Sequence, residues 1–264
     1  MNPIPFTPSN DLEQALVRAA SDPSARPEFY RKLLEADLFL LTPNAPQQDG
    51  KFTLEKDEQI SFVNWQGNDG TFLPMFSSLY LLQTAIQSAD ITYGYLALNG
   101  KVAFEIFAQK ANEIILNPGF AYGKQFVLEE IRQIADGSLF AGNPRTVSKA
   151  TTVLLGQPAK YPHTMVSVLQ NLFQKYPQVK AACLAQMHDP SSGEPPHIVV
   201  GIECSDDYRT IVSDVGIAVK GEVEGEFVDF IEVEGGKGSL NHYFKKQTKP
   251  FYQTSAKPRW KFWK

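Results

Sequence analysis

The sequence contains little cysteine and no long apolar run. Cys183 and Cys204 are the only cysteines among its 264 residues, and their spacing is not that of metal ligands. Both lie in stretches typical of buried strands, where a reduced thiol behaves as a small apolar group; a disulfide between them is the alternative. The longest apolar runs, residues 38–41 and 152–155, are far shorter than the roughly 20 residues of a membrane-spanning helix. We therefore expect no transmembrane segment.

The sequence also lacks a secretory signal, and its charges are unevenly distributed. The first ten residues, MNPIPFTPSN, have neither a basic nor an apolar region, which predicts a cytoplasmic protein. Of the 25 basic residues, seven lie in residues 245–264, where no acidic residue occurs; the other 18 share the rest of the chain with all 29 acidic residues. Such an acidic body repels phosphate groups, so we do not expect it to bind nucleic acid.

Motifs of common enzyme classes are absent. The sequence has no Gly-x-Ser-x-Gly, no His-Glu-x-x-His and no Gly-x-Gly-x-x-Gly. Residues 119–125, GFAYGKQ, resemble a phosphate-binding loop, but a residue is missing between the glycines and Gln125 replaces the magnesium-binding hydroxyl, so we expect a turn with an exposed lysine. Residues 235–239, GGKGS, favour a flexible turn over an anion site. His163 and His242 have no visible partner, so the sequence predicts no cofactor and no catalytic residue.

A possible metal site lies around one loop of the second half. His188 and Asp189 precede this loop, and Glu194 and His197 follow it. If the flanking strands pair, the two histidines could face each other. Zinc needs three or four ligands within about 2.3 Å, and a loop with three prolines does not ensure that geometry. A solvated hairpin end is therefore favoured over a metal site.

In the first half, one stretch predicts a turn, a strand and a capped helix in succession. This stretch is GNDGTFLPMFSSLYLL, residues 67–82. Residues 60–65 and 71–76 flank its turn and are expected to pair as a hairpin. Pro74 lacks an N–H group, so its strand should lie at a sheet edge or present this position away from the ladder. The length of the chain and the break at residues 142–144 predict two domains, 1–143 and 144–264.

The second half has the order strand, helix, two strands, helix, strand. This order is that of a split βαβ, ferredoxin-like domain, so the predicted fold class is α+β, with a mixed α/β domain before it. Hydrophobic periodicity places the elements at residues 149–156, 165–176, 179–188, 197–204, 206–219 and 225–233.

Several segments together resemble a known family. In the first half they are ARPEFYRKLLEADLFL, DGTFLPMFSSLYLLQTAI, EIILNPG and YGKQFVLEEI, and in the second half NHYFKKQTKPFYQ. They resemble the two domains of the SseB family, the enhanced-serine-sensitivity proteins. Tyr80 departs from the family pattern, because an acidic residue there often completes a capping box. The resemblance implies both domains and a name that records a growth phenotype linked to serine, but no defined reaction.

The C-terminal tail is a candidate interaction surface. Aromatic side chains alternate with basic ones there, and they could pack on the protein itself, enter a partner's groove, contact an anionic membrane or stack on single-stranded nucleic acid. Residues 222–234 are acidic, which suits either a protected edge strand or a surface that receives the tail. The tail residues are Lys257, Arg259, Trp260, Lys261, Phe262, Trp263 and Lys264.

Two function classes follow from these patterns together with the serine phenotype that the family resemblance implies. The first is a non-enzymatic cytoplasmic protein that acts by binding another protein, in a regulatory role connected with serine sensitivity. The second is a sensor or enzyme of serine-related metabolism, with a small-metabolite site between the domains. A third hypothesis makes the tail a weak peripheral membrane contact or a nucleic-acid contact. We expect the first, without a cofactor or a metal.

Overall fold

A computed structural model describes residues 3–43, 61–68, 70–87, 94–109, 113–141, 152–223, 227–234 and 239–254. The chain forms two units, residues 1–140 and 141–264. Each combines helices with a mixed sheet, which confirms the predicted α+β two-domain class. The predicted boundary at residues 143 and 144 lies outside the described ranges. Among the described residues, no helix is both long and apolar enough to cross a bilayer.

The N-terminal unit begins with two helices that pack on each other. Helix α1 spans Asp11–Ser21, a 3-10 turn spans Pro23–Ala25, and α2 spans Arg26–Glu35. Asn10 begins α1 as an N-cap, because its side chain accepts a hydrogen bond of 2.8 Å from the Glu13 N–H. The buried apolar side chains of both helices recur at helical spacing. They are Leu12, Ala15, Leu16, Phe29, Tyr30 and Leu33.

The N-terminal sheet has six described strands. They are β1 (Asp37–Thr42), β2 (Trp65–Gln66), β3 (Thr71–Phe76), β4 (Gly94–Asn99), β5 (Glu113–Leu116) and β6 (Lys124–Val127). The sheet order is β4-β1-β3-β5-β6, with β2 also paired to β3. Only β3 and β5 run parallel among these pairs. Three further helices follow strands along the chain: α3 (Leu79–Ile86), α4 (Gly100–Phe107) and α5 (Leu128–Ala135).

The predicted hairpin forms, although its first strand is short. Trp65 pairs with Phe72, and the Gly67 N–H donates to the Gly70 carbonyl over 2.7 Å. Contrary to one expectation for Pro74, β3 lies inside the sheet, because β1 and β5 flank it. On one side of β3, residues 71–72 pair with β2 and residues 75–76 pair with β1, and Pro74 lies between these two pairings. No backbone N–H is therefore needed from Pro74 on that side.

The C-terminal unit contains the predicted elements and two more. They are β7 (Leu154–Gly156), α6 (His163–Phe173), β8 (Val179–His188), β9 (His197–Cys204), α7 (Tyr208–Val219) and β10 (Val228–Glu232). The chain then forms α8 (Ser239–Lys246) and β11 (Pro250–Gln253). The sheet order is β10-β9-β8-β11, and β7 shares with β11 the remaining edge of β8.

The ferredoxin-like pairing that we predicted for this unit is wrong, although the order of elements is right. A split βαβ unit makes its first two strands parallel and separates them by another strand. Here β7 and β8 are direct antiparallel neighbours, and both edges of β9 are occupied by β8 and β10. No edge of β9 is therefore left for β7. Hydrophobic periodicity identifies strands but does not encode which strands pair.

The two faces of the C-terminal sheet are covered unequally. Helices α6 and α7, of 11 and 12 residues, cover one face and form its main core with Leu184, Val200 and Ile202. Helix α8 packs on the opposite face, which we call the α8 face, and has only eight residues. At 1.5 Å per residue, such a helix is about 12 Å long and covers a smaller part of its face than α6 and α7 cover of theirs.

Candidate functional site on the C-terminal sheet

The predicted metal-site histidines lie on opposite faces of the sheet. Strands β8 and β9 pair as predicted, but Met187 is the residue opposite His197, and His188 pairs with Leu154 of β7. Because side chains alternate along a strand, His188 and His197 point in opposite directions. The expectation that they face each other is wrong. In the described parts of the chain, no three His, Cys, Asp or Glu side chains are grouped so as to hold a metal ion.

His197 instead forms a buried pair with an acidic side chain of the neighbouring strand. Its Nε2 atom lies 2.8 Å from Asp229 Oδ2, and the residue is 8% exposed. Asp229 belongs to the acidic stretch predicted as a solvated edge strand. The strand β10 is present, but this carboxylate satisfies the histidine rather than facing water alone.

We expected the lysine of the phosphate-loop-like turn, Lys124, to be exposed, but its side chain is partly buried. Gly119 has a φ of 84°, which supports the turn. Lys124 Nζ lies 2.9 Å from Glu130 Oε2 and 4.7 Å from the centre of the Phe126 ring. The Tyr30 hydroxyl donates to the other Glu130 oxygen, and burial, with the Glu130 charge, raises the pKa of Tyr30. The lysine therefore stabilises a buried carboxylate.

A second buried polar cluster explains the serines that follow β3. The Ser77 hydroxyl donates to Glu13 Oε1 over 2.9 Å, and the Ser77 N–H donates to Asn117 Oδ1 over 2.9 Å. Burial alone would raise the pKa of Glu13, but hydrogen bonds from Ser9, Ser78 and Ser77 outweigh it and lower that pKa. Ser78 caps α3 through the Leu81 N–H, as predicted for the serine pair. This cluster fastens α1 to the sheet.

The α8 face has a small core with a half-buried apolar margin. Ala185, Val199, Val233 and Phe244 are buried together there. Gly201 makes this packing possible, because a Cβ atom at that position would lie 2.8 Å from Phe244 Cδ1. The margin consists of Cys183, Met187, Ile231 and Tyr243, which pack on this core and remain partly exposed.

A cavity of about 180 Å³ opens on the same face, beside α8. Its floor is made of the small residues Ala181 and Cys183, and Gly201, covered by Phe244 and Val233, lies at its margin. Glu203 and Lys245 stand at its side, with 4.0 Å between Lys245 Nζ and Glu203 Oε1. Thr248, Pro250 and Gln253 complete the lining together with Val233 and Phe244.

The two cysteine thiols are free, half-buried and poorly ionised. Cys183 faces the cavity, whereas Cys204 packs against the main core on the other face, so the two cannot form a disulfide. Burial raises the pKa of Cys183, and a hydrogen bond from Thr248 only partly opposes it. Burial and the Glu232 carboxylate raise the pKa of Cys204 to about 11. Neither thiol has the electropositive surroundings of a nucleophilic cysteine.

Family models account for nearly all of this architecture. The SseB protein N-terminal domain matches residues 12–133, and the SseB protein C-terminal domain matches residues 147–254. The chain belongs to the SseB family. Its relatives include Protein SseB of Escherichia coli (strain K12) and Protein SseB of Shigella flexneri, each 27% identical over 250 residues that cover 92% of both chains. No solved structure matches the chain.

The matched C-terminal domain includes one of the two candidate surfaces, the α8 face, but not the other, the C-terminal tail. The α8 face and its cavity lie inside the matched C-terminal domain. The candidate tail residues, 257–264, lie beyond the matched range and outside the described residues, so their role stays a prediction. Sequence patterns missed α8, β11 and the cavity. The only signals were the small residues of β8 and β9, at Ala181, Cys183 and Gly201.

Proposed function

We propose that this SseB-family protein is not an enzyme and that it acts by binding a partner protein through the α8 face. The observation that carries the proposal is the apolar margin of that face. Met187, Ile231 and Tyr243 pack on its core and are only partly buried, because α8 covers only part of the sheet. Apolar side chains that remain partly exposed beside one another are a common feature of protein-binding sites.

The charge beside the margin suits a particular kind of partner. Glu203 lies on the α8 face, since its register partner is Ala181 of that face, and its side chain is 38% exposed. An apolar partner surface with a basic rim would complement both the apolar margin and this carboxylate. We further propose that binding regulates this partner, and that this regulation is the predicted connection with serine sensitivity.

Affinity capture with a charged variant tests this function. We expect the double variant Met187→Lys/Tyr243→Lys to lose a protein that the unaltered chain captures from the native cell lysate, because two ammonium groups interrupt the apolar margin. The matched control is Tyr80→Lys, which alters an aromatic side chain of the N-terminal unit that is 69% exposed. Thermal unfolding of all three proteins checks that each is folded.

The comparison has a clear contrary result. Capture of the same proteins in the same amounts by the double variant and by Tyr80→Lys would show that the α8 face is not the binding surface. Capture of no protein by the unaltered chain, together with turnover of a metabolite by the purified protein, would overturn the non-enzymatic role. Shortening the chain to end at Ser255 tests the tail separately, because it leaves the α8 face intact.

A further inference from the structure

The cavity beside α8 combines a small apolar floor with one carboxylate and one ammonium group. Ala181 and Cys183 of β8 form the floor, and neither side chain is larger than a thiol. Glu203 lies on β9 and Lys245 on α8, so the two charges come from different elements. Each side chain is more than a third exposed, at 38% and 36%, and their charged atoms are 4.0 Å apart. That distance makes a loose pair of the kind that stabilises a protein little.

We propose that this cavity binds a small α-amino acid. Such a ligand carries an ammonium and a carboxylate on one carbon atom, so it can place its carboxylate against Lys245 and its ammonium against Glu203. One loose ion pair is thereby replaced by two closer, charge-assisted hydrogen-bonded contacts. The proposal goes beyond binding of a partner protein and does not depend on it.

The cavity volume sets the size of the ligand. A volume of 180 Å³ corresponds to about six water molecules at roughly 30 Å³ each. Glycine, alanine and serine have about that number of non-hydrogen atoms, whereas a drug-sized ligand needs about 300 Å³ or more. The small side chains of Ala181 and Cys183 leave room for a ligand side chain of one or two atoms, whereas Phe244 and Val233 fill the space over Gly201. Ligands this small bind with dissociation constants in the micromolar to millimolar range.

Ligand analogues provide the first test, because they require no change to the protein. Isothermal titration of the full chain at low salt is expected to show saturable 1:1 binding of L-alanine or L-serine. N-acetyl-L-alanine lacks the ammonium and L-alaninamide lacks the carboxylate, so each should bind at least about tenfold more weakly, as expected for loss of one charged hydrogen bond. L-phenylalanine should bind at least tenfold more weakly than L-alanine because its ring exceeds the cavity.

Single-charge variants then locate the site. Glu203→Gln and Lys245→Gln are each expected to weaken L-alanine binding at least tenfold. Lys246→Gln is the matched control, since it removes the same charge from the next position of α8 without altering the lining of the cavity, and it should leave the affinity unchanged. Thermal unfolding identifies any variant that is not folded, and in that case the analogue series decides alone.

Two results would overturn the proposal. One is the absence of saturable binding of glycine, L-alanine and L-serine up to about 20 mM, well above the millimolar constants expected for such small ligands. The other is binding that neither Glu203→Gln nor Lys245→Gln weakens, which would place any amino-acid site elsewhere. Failure of partner capture would not affect either result, because the titration contains only the purified chain and the amino acid.

Discussion

Gly201 of the C-terminal sheet lies against Phe244 of α8, and we expect its replacement by alanine to destabilise this contact. A Cβ atom at Gly201 would lie 2.8 Å from Phe244 Cδ1, 2.9 Å from Phe244 Cγ and 2.8 Å from Val233 Cγ2. Carbon atoms in favourable contact are about 3.5–4.0 Å apart, so either the ring or α8 must move. Overpacking of this kind costs about 1–3 kcal/mol of the free energy of unfolding.

Removing the ring should relieve most of this cost. Phe244 is 1% exposed, and Phe244→Ala alone is expected to cost about 3–5 kcal/mol because it leaves a cavity in the small core. In Gly201→Ala/Phe244→Ala, two of the three closest contacts of the new methyl group are removed and the contact with Val233 Cγ2 remains. We therefore expect the double variant to be more stable than the sum of the single effects predicts, by about 0.5–3 kcal/mol.

Hydrogen exchange in increasing urea measures these costs within the C-terminal unit. Local measurement is needed because two units need not unfold in one transition. Peptides that contain β9 should exchange faster in each single variant, whereas peptides that contain β3 of the other unit serve as an internal control. The steric account is refuted if Gly201→Ala leaves β9 exchange unchanged, or if the two substitutions have additive effects.

Three further predictions concern the buried polar side chains of the N-terminal unit. The pKa of Glu13 is lowered, so its charge stabilises the fold above the unfolded pKa of about 4.3, and this contribution is lost as pH falls. We therefore expect Glu13→Gln to lower the free energy of unfolding, measured in urea, by about 1–3 kcal/mol at pH 7 and by less at pH 3. The pKa of Tyr30 is raised, so stability should fall above about pH 10 more steeply in the unaltered chain than in Tyr30→Phe; equal slopes in alkaline unfolding would contradict this. Asn117 has a φ of 52° and accepts the Ser77 N–H, so Asn117→Ala should lower the melting temperature more than Asn117→Gly, which keeps the left-handed backbone accessible.

Much of the fold could be predicted because periodicity and capping are local properties. Strand β1 appears as a short apolar run, and α3 follows two serines, of which Ser78 is its cap. The two strands that flank the loop of residues 189–196 also pair as expected. In each case, the side chains that define the element lie within a few positions of one another, so the sequence carries the information directly.

Pairing between distant segments could not be predicted in the same way. β7 pairs with the end of β8 rather than with β9, and β11 takes the rest of that edge. Strand β11 has four residues, and its position depends on contacts such as the Tyr252 hydroxyl donating to the Phe173 carbonyl over 3.0 Å. These contacts join residues far apart in the chain, and single-sequence patterns do not contain them.

The candidate site was missed for a related reason. The cavity takes its floor from β8 and its charges from Glu203 of β9 and Lys245 of α8, which are 42 positions apart in the sequence. None of these residues forms a recognisable motif. Conversely, His188 and His197 were predicted to form a metal site because they are close in sequence, yet the alternation of side chains along a strand places them on opposite faces of the sheet. Which side chains meet on one face of the sheet is therefore decided by the register of the strands and not by closeness in the sequence.

Site-specific photo-crosslinking in cells tests the partner-binding role most directly. A photoreactive phenylalanine derivative would replace Met187 on the α8 face in one protein and Tyr80 of the N-terminal unit in another. The account predicts a defined protein adduct from position 187 that is absent from position 80. The same adducts from both positions, or no adduct from position 187 in a folded protein, would contradict a partner-binding role for the α8 face.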